Sequence, residues 1–357
     1  MNKMNGLDLL FQYAREFKFD DFNKLFHKLE VGRPMEELWE AYLMRMQIRL
    51  YAADDAVLAD QERVFGSNGR SRFPSLGGLW PAETPTRLNV FSKAPGLLRG
   101  FLQKLPLLRP KLNQWYGEQG DIVVRQFQGE IHYFLGEIQE ALGFAEEHHQ
   151  SGLKNNIDAL LTQCLRFRCY LAMCYPRQAE ACMLDMIRLS QAYPECQAPY
   201  NAARLWANLT TSWNGDSPRF YDDPGEKKKP VLEDRLESIR MGGAQMAPLE
   251  AALVRYAESG YESAYAMRQY YLDLFQAVHW FQAGDHQQTK SYFLKIYQIA
   301  YDSGVIMPLV EYGEQISPLL RYVKGRDWGC SQQWLDLIIS RAAQYETGIK
   351  AYQDSDA

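Results

Sequence analysis

Apolar residues in this chain recur at helical spacing, and strand-like alternation is nearly absent. Ile138, Ala141, Leu142 and Ala145 fall at i, i+3, i+4 and i+7, and Tyr271, Leu274, Phe275 and Val278 repeat that spacing. Each set lays one apolar stripe along a helix. Tyr292, Phe293, Ile296, Tyr297 and Ala300 form a broader stripe, as a helix held between two neighbours in a layered stack requires. The pattern predicts helices that are stable only when packed on one another.

The breaks between these helices share one form: a helix end, a small or turn-forming residue, then a helix opening just before an alanine. It reads Tyr133-Phe134-Leu135-Gly136-Glu137-Ile138-Gln139-Glu140-Ala141 in the middle of the chain and Phe281-Gln282-Ala283-Gly284-Asp285-His286 near the end. Glycine there permits the left-handed residue that caps a helix. Degenerate versions are Ala52–Ala56, Met173–Ala179 and Ser259–Ala264, and the repeat from Gly136 to Pro176 is 40 residues. That is close to the tetratricopeptide period, lengthened by longer helices. The expected fold is all-α, a tetratricopeptide-like α-α superhelix, that is, a solenoid of helical hairpins.

Two stretches interrupt the pattern. Gly66 to Gly96 carries Gly66, Gly69, Pro74, Gly77, Gly78, Pro81, Pro85 and Pro95, which excludes a continuous helix. Its Phe73, Leu76, Leu79, Trp80 and Phe91 predict an ordered, non-helical cover. Trp213 to Pro230 is more polar, and is expected to be mobile.

Composition narrows the class. Hydrophobic residues make up 46% and charged residues 23%, as in a packed soluble protein. A formal net charge of −5 does not suit a surface that grips phosphate backbones, so this segment is expected to make no direct nucleic-acid contact. The one dense basic run, Lys227-Lys228-Lys229, sits among Asp222, Asp223 and Glu226 and reads as a solvated loop. The opening residues lack the apolar core of a signal peptide, and no window reaches the roughly 18 apolar residues of a membrane-spanning helix. A cytoplasmic location and no membrane contact are expected. The six cysteines include no Cys-x-x-Cys pair and no His at metal-ligand spacing, so free, mostly buried thiols are expected.

No reaction centre emerges. Glu146-Glu147-His148-His149 has metal-ligand residue types, but adjacent helical side chains diverge by about 100° and cannot close on one ion. His279 and His286 lie on opposite sides of the Gly284 break. There is no Gly-x-x-x-x-Gly-Lys-Ser/Thr cradle, Gly-x-Ser-x-Gly elbow or His-Glu-x-x-His helix. The chain is therefore read as a non-enzyme with no metal and no cofactor.

Binding chemistry is better represented. Aromatic residues reach 13%, including 22 tyrosines, whose apolar rings and polar tips suit recognition surfaces. In a stack of hairpins the first helix of each lines the concave face, which draws candidates from Arg125–Tyr133, Arg166–Tyr170, Arg204–Asn208 and Arg268–His279. The groove candidates for a ligand or partner are Tyr133, Arg168, Trp206, Arg268, Tyr271 and His279. Arginine beside tyrosine could hold a carboxylate or other anion bidentately. The plainer reading pairs these arginines with Glu and Asp on neighbouring helices.

The segment Tyr271–Val323 is the most specific. It carries Gly284-Asp285 after a long helix, Ala300-Tyr301 at the end of the next, a Gly-x-x-x-Pro turn at Gly304–Pro308, then Glu311-Tyr312-Gly313 and Leu319-Leu320. These motifs resemble the last repeat of MalT-like, LuxR-type bacterial transcription regulators, closely over about 50 residues and more weakly over Asp121–Tyr193 and Asp20–Phe65. The resemblance implies an effector-sensing, self-associating helical array that controls an attached DNA-binding unit. The family's nucleotide-hydrolysing module has no counterpart here, and Gln353–Ala357 reads as the start of a linker, so the DNA-binding unit is expected beyond this sequence. The division that follows is a helical connector over 1–65, a Pro/Gly-rich irregular segment with a short helix over 66–120, repeats over 121–323, and a C-terminal helix with the start of a linker over 324–357. The expected partners are a small-molecule or peptide effector and a second copy of the chain. The alternative is a free-standing helical-repeat scaffold that mediates protein–protein interaction.

Overall fold

A computed structural model describes residues 19–31, 96–116, 118–150, 156–197, 199–201 and 266–354, with single positions elsewhere between 6 and 45 and between 203 and 207. Among the described residues every regular element is helical. They are α1 (Phe19–Glu30), α2 (Leu97–Tyr116), α3 (Glu118–Phe134), α4 (Ile138–Gln150), α5 (Asn156–Ala172), α6 (Pro176–Ala192), a 3₁₀ turn (Pro194–Cys196), α7 (Ala266–Gln282), α8 (His286–Ser303), α9 (Met307–Glu311), α10 (Gly313–Lys324) and α11 (Gln332–Asp354). Most of the Gly66–Gly96 stretch, and all of the Trp213–Pro230 stretch and of the breaks at Ala52–Ala56 and Ser259–Ala264, lie outside the described residues.

The stripes read from the sequence point inward. Tyr271, Leu274, Phe275 and Val278 of α7 are buried, as are Ile138, Ala141 and Ala145 of α4 and Phe293, Ile296 and Ala300 of α8. Consecutive helices pair as antiparallel hairpins, α3 with α4, α5 with α6, and α7 with α8. One local device makes all three turns. Gly136, Cys174 and Gly284 take left-handed φ values of 76°, 60° and 78°. The N–H of each bonds the carbonyl three residues before it, and the next N–H bonds the carbonyl five residues before itself: Gly136 to Tyr133 and Glu137 to His132, Cys174 to Leu171 and Tyr175 to Tyr170, Gly284 to Phe281 and Asp285 to Trp280. This double closure satisfies two carbonyls that the helix end would otherwise leave open. Two of the turns use the residue with no Cβ penalty. The third places a cysteine in that position, with Pro176 setting the first turn of the next helix. Asp285 caps α8 by accepting from the N–H groups of Gln287 and Gln288 at 3.1 and 3.0 Å.

The short helix expected within 66–120 is α2, which follows the Gly66–Gly96 stretch. α2 runs 20 residues with Pro106 and Pro110 inside it. Both prolines are exposed, while Leu98, Phe101 and Leu105 on the opposite side are buried. Burial of that face holds the helix together across two positions that cannot donate a backbone hydrogen bond.

The C-terminal helices do not only extend the series. Ile306 N–H bonds the carbonyl of Phe134 at the end of α3, at 3.1 Å. Cys174 Sγ donates to the carbonyl of Gln344 in α11 at 3.2 Å, across 170 residues of sequence. Phe167 and Tyr352 meet edge to face with centroids 5.7 Å apart. Gly348 makes this docking possible, because a Cβ there would lie 2.0 Å from the carbonyl oxygen of Leu171. Stacking on nearest neighbours alone leaves such contacts unexplained. Residues 324–354 therefore pack on the middle of the chain rather than standing apart.

Candidate functional site

Four separate stretches of sequence meet at Glu311, the last residue of α9. Its side chain is fully buried. Arg168 Nη2 of α5 donates to Oε1 at 2.5 Å, Tyr133 Oη of α3 donates to the same oxygen at 2.6 Å, and Tyr271 Oη of α7 donates to Oε2 at 3.4 Å. The Arg168 guanidinium also lies 4.3 Å from the ring centroid of Tyr133 and 5.1 Å from that of Phe134. Tyr312 closes the far side, edge to face with Phe275 at 5.1 Å and with Tyr271 at 6.3 Å.

Helical phase puts these groups in place. Tyr133 lies in the last turn of α3, one turn beyond Glu130, and Arg168 sits one turn after Cys164 on α5, so each helix offers one inward polar stripe. All five residues of the short helix α9 are buried. The close approach at Gly313, where a Cβ would lie 2.4 Å from the Ala342 carbonyl, seats it against α11. Each residue of Glu311-Tyr312-Gly313 thus has a separate packing duty: hub, aromatic lid and point of contact.

The electrostatics are those of a buried ion pair. Burial pulls the Arg168 guanidinium toward its neutral form, but Glu311, Tyr133 and Tyr271 overcome this and hold it well above the usual range. Burial, reinforced by Glu311, pushes the Tyr133 phenol well above its ordinary value, so it stays a donor. The same burial lifts the Cys164 thiol to about 12. Cys182 rises to about 12, Cys196 and Cys330 to about 11, and Cys169 and Cys174 shift the same way, with burial the main cause throughout. Thiols so placed are protonated at neutral pH and are poor nucleophiles. All six cysteines are free. Among the described residues no group of three or more His, Cys, Asp or Glu is arranged to hold a metal ion, and no helix is long and apolar enough to cross a membrane.

Three of the six groove candidates, Tyr133, Arg168 and Tyr271, come together, but around an internal carboxylate rather than on an open wall. His279 lies two turns further along α7, about 12 Å by helical rise, with its ring 5.1 Å from that of Trp280. Arg268 falls within α7, but its side chain is outside the described residues, as is Trp206 altogether. The other arginines of the groove segments find acidic or aromatic neighbours: Arg125 pairs with Asp121 and Glu147, Arg166 with Glu146, and Arg204 lies over Tyr200. Sequence reasoning missed Glu311 as the hub. The available signal was an acidic residue directly after the apolar run Met307–Val310.

A second feature is an open groove at the free end of the α5–α6 hairpin, of about 400 Å³, lined by Ala159, Gln163, Asp185, Leu189, Ala192 and Tyr193 among others. No family model matches this chain, and no curated protein or solved structure matches it.

Proposed function

We propose that the chain is the effector-sensing and self-association segment of a LuxR-type, MalT-like transcription regulator, a cytoplasmic tetratricopeptide-like array whose DNA contact is made by a separate unit. The observation that carries this reading is the coincidence of motif and architecture. Glu311-Tyr312-Gly313, the element that drew the resemblance, ties α3, α5, α7 and α11 into one body. A ligand that binds one arrangement of these helices better than another shifts the orientation of α11. That is how a sensor passes its signal to a neighbouring unit. The role is binding rather than catalysis, in keeping with protonated thiols and a sealed ion pair.

Affinity purification of the tagged native protein from its host tests the reading. Recovery of a DNA-binding unit, in the same chain or as a stable partner, supports it. Recovery of structural or secretion components without any DNA-binding unit overturns it in favour of the scaffold reading. That alternative draws its support from the open groove beside Tyr193, which has room for a partner's side chain.

A further inference from the structure

On α6, Asp185, Arg188, Leu189 and Ala192 fall at i, i+3, i+4 and i+7, the spacing of one helix face. Ala159 and Gln163, four apart on α5, stand across from them, and the two stripes with Tyr193 bound the open groove of about 400 Å³. That volume lies in the range of small-ligand sites, roughly 300–1,000 Å³. Its walls divide by chemistry. Ala159, Leu189, Ala192 and the ring of Tyr193 give an apolar surface. Asp185 and Arg188 set a carboxylate beside a guanidinium, with Arg188 Nη1 donating to Asp185 Oδ1 at 3.0 Å. At 75% and 41% side-chain exposure this pair contributes little to the fold. The carboxylate is nevertheless supported from behind. Gln163, only 4% exposed, donates from Nε2 to Asp185 Oδ2 at 3.4 Å and accepts at Oε1 from Arg166 Nη1 at 2.8 Å. Arg166 in turn donates from Nε to Glu146 Oε1 of α4 at 3.0 Å. A relay of hydrogen bonds that orients one group on a groove wall is the construction of a binding site, and an exposed ion pair on a helix surface does not need it.

Resting on the sensing role proposed above, we infer that this groove is the effector site and takes a free α-amino acid with an apolar side chain. Such a ligand carries an ammonium and a carboxylate on one carbon. Asp185 receives the ammonium, and Arg188 receives the carboxylate through its planar fork. A carboxylate accepts several hydrogen bonds and a guanidinium donates several, so each has capacity beyond their mutual bond. Arg188, mostly in solvent, moves aside as the ligand enters at little cost. The ligand's side chain lies along Leu189 and Ala192 toward the ring of Tyr193. Two protein charges 3.0 Å apart match ligand charges one carbon apart. A peptide separates its terminal charges by at least one further residue of about 3.3–3.6 Å and does not match them. A purely cationic or purely anionic ligand answers one protein group and leaves the other unanswered.

Isothermal titration calorimetry of the full chain tests this with L-leucine, L-leucinamide and 4-methylpentanoate. Leucinamide keeps the ammonium and side chain without the carboxylate, and 4-methylpentanoate keeps the carboxylate and side chain without the ammonium. L-phenylalanine repeats the measurement with a larger apolar side chain. One of the two amino acids should bind, and each leucine analogue should bind at least about tenfold more weakly than leucine, the loss of one charge-assisted contact. Asp185→Asn and Arg188→Gln, both at solvent-facing positions, should each weaken amino-acid binding about tenfold or more. Neither should move the unfolding midpoint of the unliganded chain by more than about 3 °C. The inference is overturned if neither amino acid binds at millimolar concentration, if leucinamide or 4-methylpentanoate matches leucine, or if both variants bind as the wild type does. Calorimetry involves no DNA, so its failure is distinct from failure of the regulator reading.

Discussion

Replacing Arg168 with Met takes the guanidinium away from the Glu311 carboxylate while leaving the carboxylate fully buried. The substitution removes a charge-assisted hydrogen bond of 2.5 Å and the guanidinium 4.3 Å from the Tyr133 ring. With relative exposures of 3% and 0% for the two side chains, solvent cannot screen the stranded charge. Breaking such a pair from one side costs about 3–5 kcal/mol. Glu311→Leu should cost a similar amount, because it takes the carboxylate from the buried Arg168 guanidinium and the acceptor from Tyr133 and Tyr271. The double substitution removes both charges together. It takes the Glu311 acceptor from two phenols, at about 1–3 kcal/mol each. The double variant should therefore lose about 2–6 kcal/mol, below the sum of the single losses, with a coupling energy of about 3 kcal/mol or more. Urea unfolding of the four proteins, followed by far-ultraviolet circular dichroism, measures all three differences. Additive losses, or a loss below about 1 kcal/mol for Arg168→Met, would refute the view of Glu311 as a sealed ionic hub.

Other substitutions probe the turns and the closure. Gly348→Ala places a Cβ 2.0 Å from the Leu171 carbonyl and should force α11 off α5, costing about 1–3 kcal/mol and exposing the last helix to early proteolysis. Asp285→Ala removes the side chain that caps α8 and should cost about 1 kcal/mol in the same unfolding assay. Thiol ionisation predicts a pH dependence. Cys164 rises from 9.0 to about 12 on folding, so above pH 9 the unfolded chain releases a proton that the folded chain keeps. This contribution to stability is complete below pH 9 and is lost as pH rises toward 12. Cys164→Ala should flatten the decline of stability across that window.

Local features were the most legible in the sequence. Gly136 and Gly284 betrayed their turns because a left-handed residue at a helix end selects glycine. Pro176 revealed the third turn even though Cys174 holds the left-handed position. The apolar stripes of α4, α7 and α8 were equally plain, since burial on one face writes a period of 3.6. The site was half legible. Tyr133, Arg168 and Tyr271 stood out by residue type, but their shared acceptor lies 143 residues beyond Arg168. No helical period encodes a partner at that separation. The docking of α11 was hidden for the same reason. Its trace is Gly348, a residue that weakens the middle of a 23-residue helix and is repaid by close contact with α5. The extent of α2 was hidden too, because Pro106 and Pro110 face solvent and the helix continues behind them.

We propose that this helical body acts in transcription. Chromatin immunoprecipitation of the tagged protein from its host tests that most directly. Enrichment at discrete promoters, lost in the destabilised Arg168→Met variant, is the predicted result. A genome-wide profile no different from that of an untagged strain would contradict it.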